Sequence, residues 1–172
     1  MPEITIRESI MEFGPMPETH ILRLEECSEY QRIQQGVPIA EFSYFKENGV
    51  KRIYTIEAKQ SSPRSENEPD FSTYIRDIAL KLSNGFQLSY ALILRRFDNS
   101  STALPSGMSS IDLATVEHRL VLVIKGHEKT WLPPIQEALR QELKALEKLW
   151  NLGPNAIAVI NDEIARHMGL IK

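Results

Sequence analysis

The run IYTIEAKQ, residues 53–60, alternates as a β-strand does. Tyr54, Ile56 and Ala58 fall on one face, and Thr55, Glu57 and Lys59 on the other. The run VPIAEFSYF (37–45) is also strand-like, and KENG separates it from KRIYTIEAK (51–59), which predicts a β-hairpin. QSSPRSENEPD (60–70) is polar, holds two prolines and reads as a loop ending at Asp70, a candidate helix cap. Phe71, Tyr74, Ile75, Ile78 and Leu82 then recur at helical spacing, predicting a helix from 70 to about 96 with a kink at Asn84-Gly85. LVLVIKGH (120–127) is a nearly continuous apolar run, the pattern of a strand covered on both faces of a parallel sheet. WLPPIQEALRQELKALEKLW (131–150) predicts an amphipathic helix with prolines in its first turn, and AIAVIND (156–162) a short strand before a helix closing at Gly169.

Upstream, ITIRESIMEF (4–13) reads as an edge strand ended by the breakers GPMP at 14–17, and LRLEECSEYQRIQQ (22–35) as a helix stopped at Gly36. DNSSTALPSGMSS (98–110) is a long polar connection and the segment expected to be mobile. The order hairpin, helix, strand, helix, strand predicts an α/β fold: a central mixed β-sheet flanked by crossover helices. With 172 residues, 42% of them hydrophobic, the chain is expected to form one domain, 1–172.

Composition removes several function classes. No apolar run approaches a membrane span, and MPEITIRESI lacks the basic-then-apolar order of a signal peptide, so a cytoplasmic protein is expected. The lone Cys27 offers neither an internal disulfide nor a cysteine cluster for zinc. Both GxGxxG and GxxxxGK[ST] are absent. The net charge of −3 is uneven: residues 1–70 hold 8 Lys and Arg against 13 Asp and Glu, and the remainder 12 against 10. An acidic surplus around the hairpin suits a cation site, and equally an ordinary solvated surface. No Lys/Arg-rich run exists, so a nucleic-acid surface would have to be assembled by folding.

The acids of the hairpin give the surplus a pattern. Glu57 stands two residues before Lys59 near the end of the second strand, and Glu41 lies on the first, with Pro38 just before it. The run VPIAEFSYFKENGVKRIYTIEAKQS resembles the PD-(D/E)XK nuclease core, and most closely its Holliday-junction resolvase branch. Glu57 and Lys59 match the E-x-K motif, Glu41 stands where the family usually has aspartate, and Glu25 could match its helical glutamate, in competition with Glu26 and Glu29. The resemblance covers about residues 22–126 and implies a restriction-endonuclease-like fold. It further implies a Mg²⁺- or Mn²⁺-dependent nuclease acting on DNA, with Glu41 and Glu57 as metal ligands, Glu41, Glu57, Lys59 and Glu25 as the catalytic set, and Gln60 and Ser61 near the substrate backbone. It leaves a homodimer open. The alternative is a catalytically inactive module of the same fold serving interaction or regulation.

The turn decides whether the acids can meet. A two-residue Asn48-Gly49 loop would set Glu41 opposite Ile56, on the wrong face. A three-residue Glu47-Asn48-Gly49 loop pairs Lys46 with Val50 and Glu41 with Thr55, placing Glu41, Thr55, Glu57 and Lys59 together. Such a group suits phosphodiester hydrolysis. Oxygen ligands bind hard divalent cations, which neutralise phosphate and acidify water, and a lysine can orient that water or stabilise developing charge. The competing reading of Glu57 and Lys59 is a salt bridge on a solvated strand face. Ser61-Ser62 shows no His/Asp pattern, His127 reads as a polar loop residue unrelated in spacing to His20, His118 and His167, and Trp131 and Trp150 read as caps of core helices.

Overall fold

The computed structural model describes residues 1–97 and 104–172. Its centre is a five-stranded mixed sheet in the order β3-β4-β5-β6-β7, formed by β3 (Ile21–Arg23), β4 (Phe42–Lys46), β5 (Arg52–Lys59), β6 (Glu117–Ile124) and β7 (Ile157–Asn161). β4 runs antiparallel to both β3 and β5, whereas β6 runs parallel to β5 and β7 parallel to β6. The crossover from β5 to β6 carries α2 (Asp70–Ile93), and that from β6 to β7 carries α3 (Leu132–Glu142) and α4 (Lys144–Leu149). The expected α/β class with a mixed sheet and crossover helices is therefore what the chain adopts.

Strand alternation sorts the core into two layers. Phe45, Ile53, Leu120, Leu122 and Ile124 pack with Ile78, Leu82, Phe86, Ile135 and Leu139 of the helices. On the other face Phe42, Tyr44, Tyr54, Ile56, Ala58, Val121 and Val123 are covered by Ile6, Met11, Phe13 and Met16. These last belong to a separate two-stranded sheet, β1 (Glu3–Glu8) with β2 (Met11–Pro17), assisted by α5 (Asp162–His167) and the C-terminal Leu170 and Ile171. β6 is thus buried on both faces, as its unbroken apolar run required. Gly85 lets α2 approach the sheet closely: a Cβ there would come within 3.0 Å of Leu24 Cδ1 and of Thr55 Cγ2, and within 3.1 Å of the Ala40 Cβ.

Several elements differ from their sequence pattern. Residues 4–13 form a hairpin, not one edge strand, and β2 continues through Gly14-Pro15-Met16-Pro17. Its turn, Ser9-Ile10, has positive φ at both residues (48° and 62°), where Asn-Gly would be usual. Two hydrogen bonds pin it against the main sheet: Ser9 Oγ donates to Ala58 O at 2.9 Å and Lys125 Nζ to Ile10 O at 2.9 Å. The expected helix 22–35 is a strand (β3), a turn and a short α1 (Ser28–Ile33). Leu22 and Leu24 are fully buried two residues apart, a strand's spacing that a helical stripe also accommodates. Asp70 is the first residue of α2, not its cap; Glu68 takes that part by accepting from the Ser72 N–H and hydroxyl. The helix expected at 131–150 is interrupted at Leu143. Of the segment expected to be mobile, 98–103 lies outside the described residues, while Ser106–Met108 forms a 3₁₀ turn with Met108 fully buried. No helix among the described residues is long and apolar enough to cross a membrane.

Candidate functional site

The β4–β5 connection is neither loop considered from the sequence. Lys46 pairs with Arg52, which leaves a five-residue loop, 47–51, with Gly49 left-handed at φ 78°. Ser43, not Glu41, pairs with Thr55. The faces survive because the register differs from the expected one by two residues, an even number. Ser43, Phe45, Ile53, Thr55 and Glu57 face α2, while Phe42, Tyr54, Ile56 and Ala58 face the β1–β2 hairpin.

Glu41 lies just before β4 and is placed by backbone bonds. Its N–H donates to Ile56 O at 3.0 Å, and its carbonyl accepts from Leu24 N at 3.2 Å. The neighbouring Ala40 N–H donates to Lys81 O at 3.2 Å, tying the segment to α2. The segment 39–41 is thereby wedged between β3, β5 and the helix.

Glu57 is 0% exposed. Two ammonium groups meet one of its oxygens: Lys59 Nζ lies 2.7 Å and Lys81 Nζ 3.0 Å from Oε1. The other oxygen, Oε2, is shut off from solvent and has no hydrogen-bond partner among the described residues, and the same is true of the Tyr74 hydroxyl. A buried polar atom left unbonded costs about 1–3 kcal/mol, so both are informative. The tyrosine is close enough to sense the acid: burial, then the Glu57 charge, pushes its hydroxyl well above the usual range.

Further carboxylates crowd the same end of the sheet. Burial, then the charges of Glu57 and Glu8, raises Glu41 to about 7. Glu8, at the pinned tip of the β1–β2 hairpin, is raised by burial and then by Glu25, with Glu57 and Glu26 contributing. Lys81 is pulled down by burial but driven up further by Glu57, Glu41 and Glu25, so it stays charged. The electrostatics thus join Glu8, Glu25, Glu41, Glu57 and Lys81 into one set, with Lys59 bonded to its centre. Glu25 occupies the exposed turn between β3 and α1, not a helix as expected. Of its competitors, Glu26 pairs with Arg23 at 2.7 Å, and Glu29 is buried with its carboxylate accepting from the Ser28 hydroxyl. Gln60 and Ser61 are exposed immediately beyond Lys59.

This donor set fits a hard divalent cation in kind. The acids are all oxygen donors, one buried carboxylate oxygen is unbonded, and Glu41 is raised by negative neighbours that a cation would offset. Among the described residues, however, no three ligand-type side chains form a ready metal cage. Glu57 and Glu41, whose charges are coupled, are the carboxylates that could hold such an ion.

Sequence reasoning missed Glu8, Lys81 and Tyr74. Lys81 interrupts nothing in the pattern: it sits beside the buried stripe of Ile78, Leu82 and Gly85 and reads as an ordinary flanking charge. Ser62, for which the sequence shows no histidine partner, has its Oγ 2.9 Å from His127 Nε2. No carboxylate pairs with that histidine among the described residues, so the contact is not a hydrolase triad. A larger cavity of about 700 Å³ opens at the opposite end of the sheet, lined by Glu117, His118 and Trp150, away from these acids. Comparison of the chain with protein-family models, with curated proteins and with solved structures finds no match.

Proposed function

We propose that the chain is a metal-dependent phosphodiester hydrolase of the PD-(D/E)XK nuclease-like type, acting on nucleic acid and in the first place on DNA. The observation that carries this reading is the buried Glu57 carboxylate, bonded by two ammonium groups on one oxygen, unbonded on the other, and set among Glu41, Glu8 and Glu25. Glu41 and Glu57 would hold Mg²⁺ or Mn²⁺, which when bound neutralises phosphate charge and lowers the pKa of water. The chain's own groups supply the rest. Glu57, locked by β5 and its two lysines, presents Oε2 in a fixed direction. Lys59, about a third exposed, can turn its ammonium from Glu57 toward a phosphate oxygen as charge develops there in the transition state. Lys81 keeps Glu57 neutralised during that excursion. Water adds to phosphorus and releases a proton to solvent, one P–O ester bond breaks, and the leaving oxygen takes up a proton from solvent. Glu8 and Glu25 add negative charge at the rim, favouring the cation.

A second reading is supported by the same ion pairs. With both lysines on Oε1, Glu57 is the centre of a neutralised structural triad, and the chain would then be an interaction module on this fold. A cleavage assay separates the two, offering duplex, single-stranded and branched DNA and RNA with Mg²⁺ or Mn²⁺ to wild type and to Glu57→Ala. Cation-dependent cleavage by wild type that disappears in Glu57→Ala is expected. Equal cleavage by both preparations would assign the activity to a contaminant, and no cleavage by wild type would favour the module.

A further inference from the structure

Trp131 is 48% exposed and Trp150 44%, and the Trp150 ring packs against Phe86 and Tyr90 at 5.0 and 5.1 Å. Both stand at helix ends as expected, Trp131 at the N-cap of α3 and Trp150 at the C-cap of α4, and Trp131 also forms part of the wall of a cavity. It ends a 3₁₀ turn, Lys129–Trp131, that runs straight into the proline-bearing start of α3, so its backbone is rigid. His127 meets the indole edge to face at 5.3 Å and 80°, and Ser62 bonds the far side of the imidazole. The His127 carbonyl is in turn fixed by Asn161 Nδ2 at 2.8 Å. Ser62, His127 and Trp131 with Arg64, Glu66 and Ile135 line about 410 Å³ of space, within the range of small-ligand clefts.

The cavity opens at the end of the sheet that carries Lys59. The Lys125 N–H donates to Lys59 O at 2.9 Å, His127 follows two residues later, and Ser62 follows three residues after Lys59 to close the pair. Carboxyl ends of parallel strands are where open α/β sheets bind their ligands. Burial lowers the pKa of His127, so the imidazole beside Trp131 is neutral at pH 7 and offers a hydrogen-bonding edge without a charge. Arg64 supplies the cation of the wall, suited to a phosphate oxygen.

We infer that this cavity is a subsite for an unpaired nucleobase of a single-stranded nucleic acid, stacked on Trp131 with its phosphate directed toward Arg64 and Lys59. The inference rests on the phosphodiesterase reading for the neighbouring reacting centre. Stacking on an exposed aromatic face tolerates any base, because every base has a π-face. A duplex cannot use the site, since its base faces are hidden within the stack.

Binding without cleavage tests this directly. Labelled single strands of about 12 nucleotides, within the span of known single-strand sites, and the matching duplex are titrated in EDTA and followed by fluorescence anisotropy. Wild type, Trp131→Phe and Trp131→Ala are compared, with deoxyadenosine monophosphate as competitor and circular dichroism to verify folding. Expected are tighter binding of single strand than duplex, a loss of about 5- to 150-fold in Trp131→Ala, and most of the affinity kept in Trp131→Phe. Unchanged affinity in Trp131→Ala, preference for duplex, or no binding by wild type would overturn it. A mononucleotide that competes as well as the strand would overturn it in favour of a free-nucleotide pocket, and an unstructured peptide that binds through Trp131 in place of the strands would overturn it in favour of a protein partner. A parallel Mg²⁺ assay keeps the two ideas apart. Trp131-dependent binding without cleavage supports the subsite and removes the nuclease, and Glu57-dependent cleavage with Trp131-independent binding does the reverse.

Discussion

Replacing Lys59 with Met is expected to lower phosphodiester turnover by a factor on the order of 10² or more, while the protein stays folded and still binds Mn²⁺. The expectation follows from the pairing of Glu57. Lys59 and Lys81 share Oε1 at 2.7 and 3.0 Å, so loss of one ammonium leaves the buried carboxylate neutralised by the other. Because Lys81 still pairs with the buried carboxylate, removing Lys59 should cost less than the roughly 3 kcal/mol of leaving a buried charge without any partner. A lysine serving only as a counter-ion would give the same small loss and no change in turnover. Lys81→Met is the useful companion. If it impairs turnover as severely as Lys59→Met, then neutralisation of Glu57, and not direct contact of Lys59 with phosphate, is what the reaction needs.

The second large effect concerns acid stability and the other end of the sheet. His118 is buried, 5% exposed, against Phe86, Tyr90 and Thr55, whose Oγ1 lies 3.0 Å from Nε2, and burial pulls its imidazole down to about 3. An unfolded chain protonates this histidine near pH 6.5, whereas the folded chain does not until about pH 3. Above pH 6.5 both states are neutral and the group contributes nothing to the pH dependence. Below it the unfolded state gains a proton the folded state refuses, so stability falls with pH by up to roughly 5 kcal/mol, complete near pH 3. His118→Gln keeps a donor for Thr55 and does not titrate. Urea unfolding at pH 7.5 and 4.0 should therefore show wild type losing roughly 3 kcal/mol more than the variant between the two conditions. Parallel losses would mean that the imidazole is protonated in the folded protein.

The limits of legibility in the sequence have physical causes. The strands β5 and β6 could be read because alternation and an unbroken apolar run are local signals, and their parallel pairing follows from the long helix between them. The β1–β2 hairpin could not, because its turn is Ser9-Ile10 and the left-handed conformation is held by contacts from Ala58 and Lys125, 49 and 115 residues away. β3 was absorbed into a helix since the buried Leu22 and Leu24 sit among charges that fit either period. The hairpin loop 47–51 kept the intended faces through its parity, although its length and its partners differed. At the site, Glu57, Lys59 and Glu41 are legible because β5 and the segment leading into β4 carry them. Glu8 and Lys81 were not, because only the folded chain brings a distant turn and a crossover helix to the same carboxylate.

The proposed phosphodiesterase activity depends on Glu57 and Glu41 accepting a divalent cation. Calorimetric titration of Mn²⁺ into wild type, Glu57→Ala and Glu41→Ala asks this without knowledge of any substrate. Wild type should bind Mn²⁺ at a single site, and each replacement should abolish that binding or weaken it by a factor on the order of 10 to 100 while circular dichroism shows the fold intact. Wild type that takes up no Mn²⁺, or binding equally strong in all three proteins, would contradict the account.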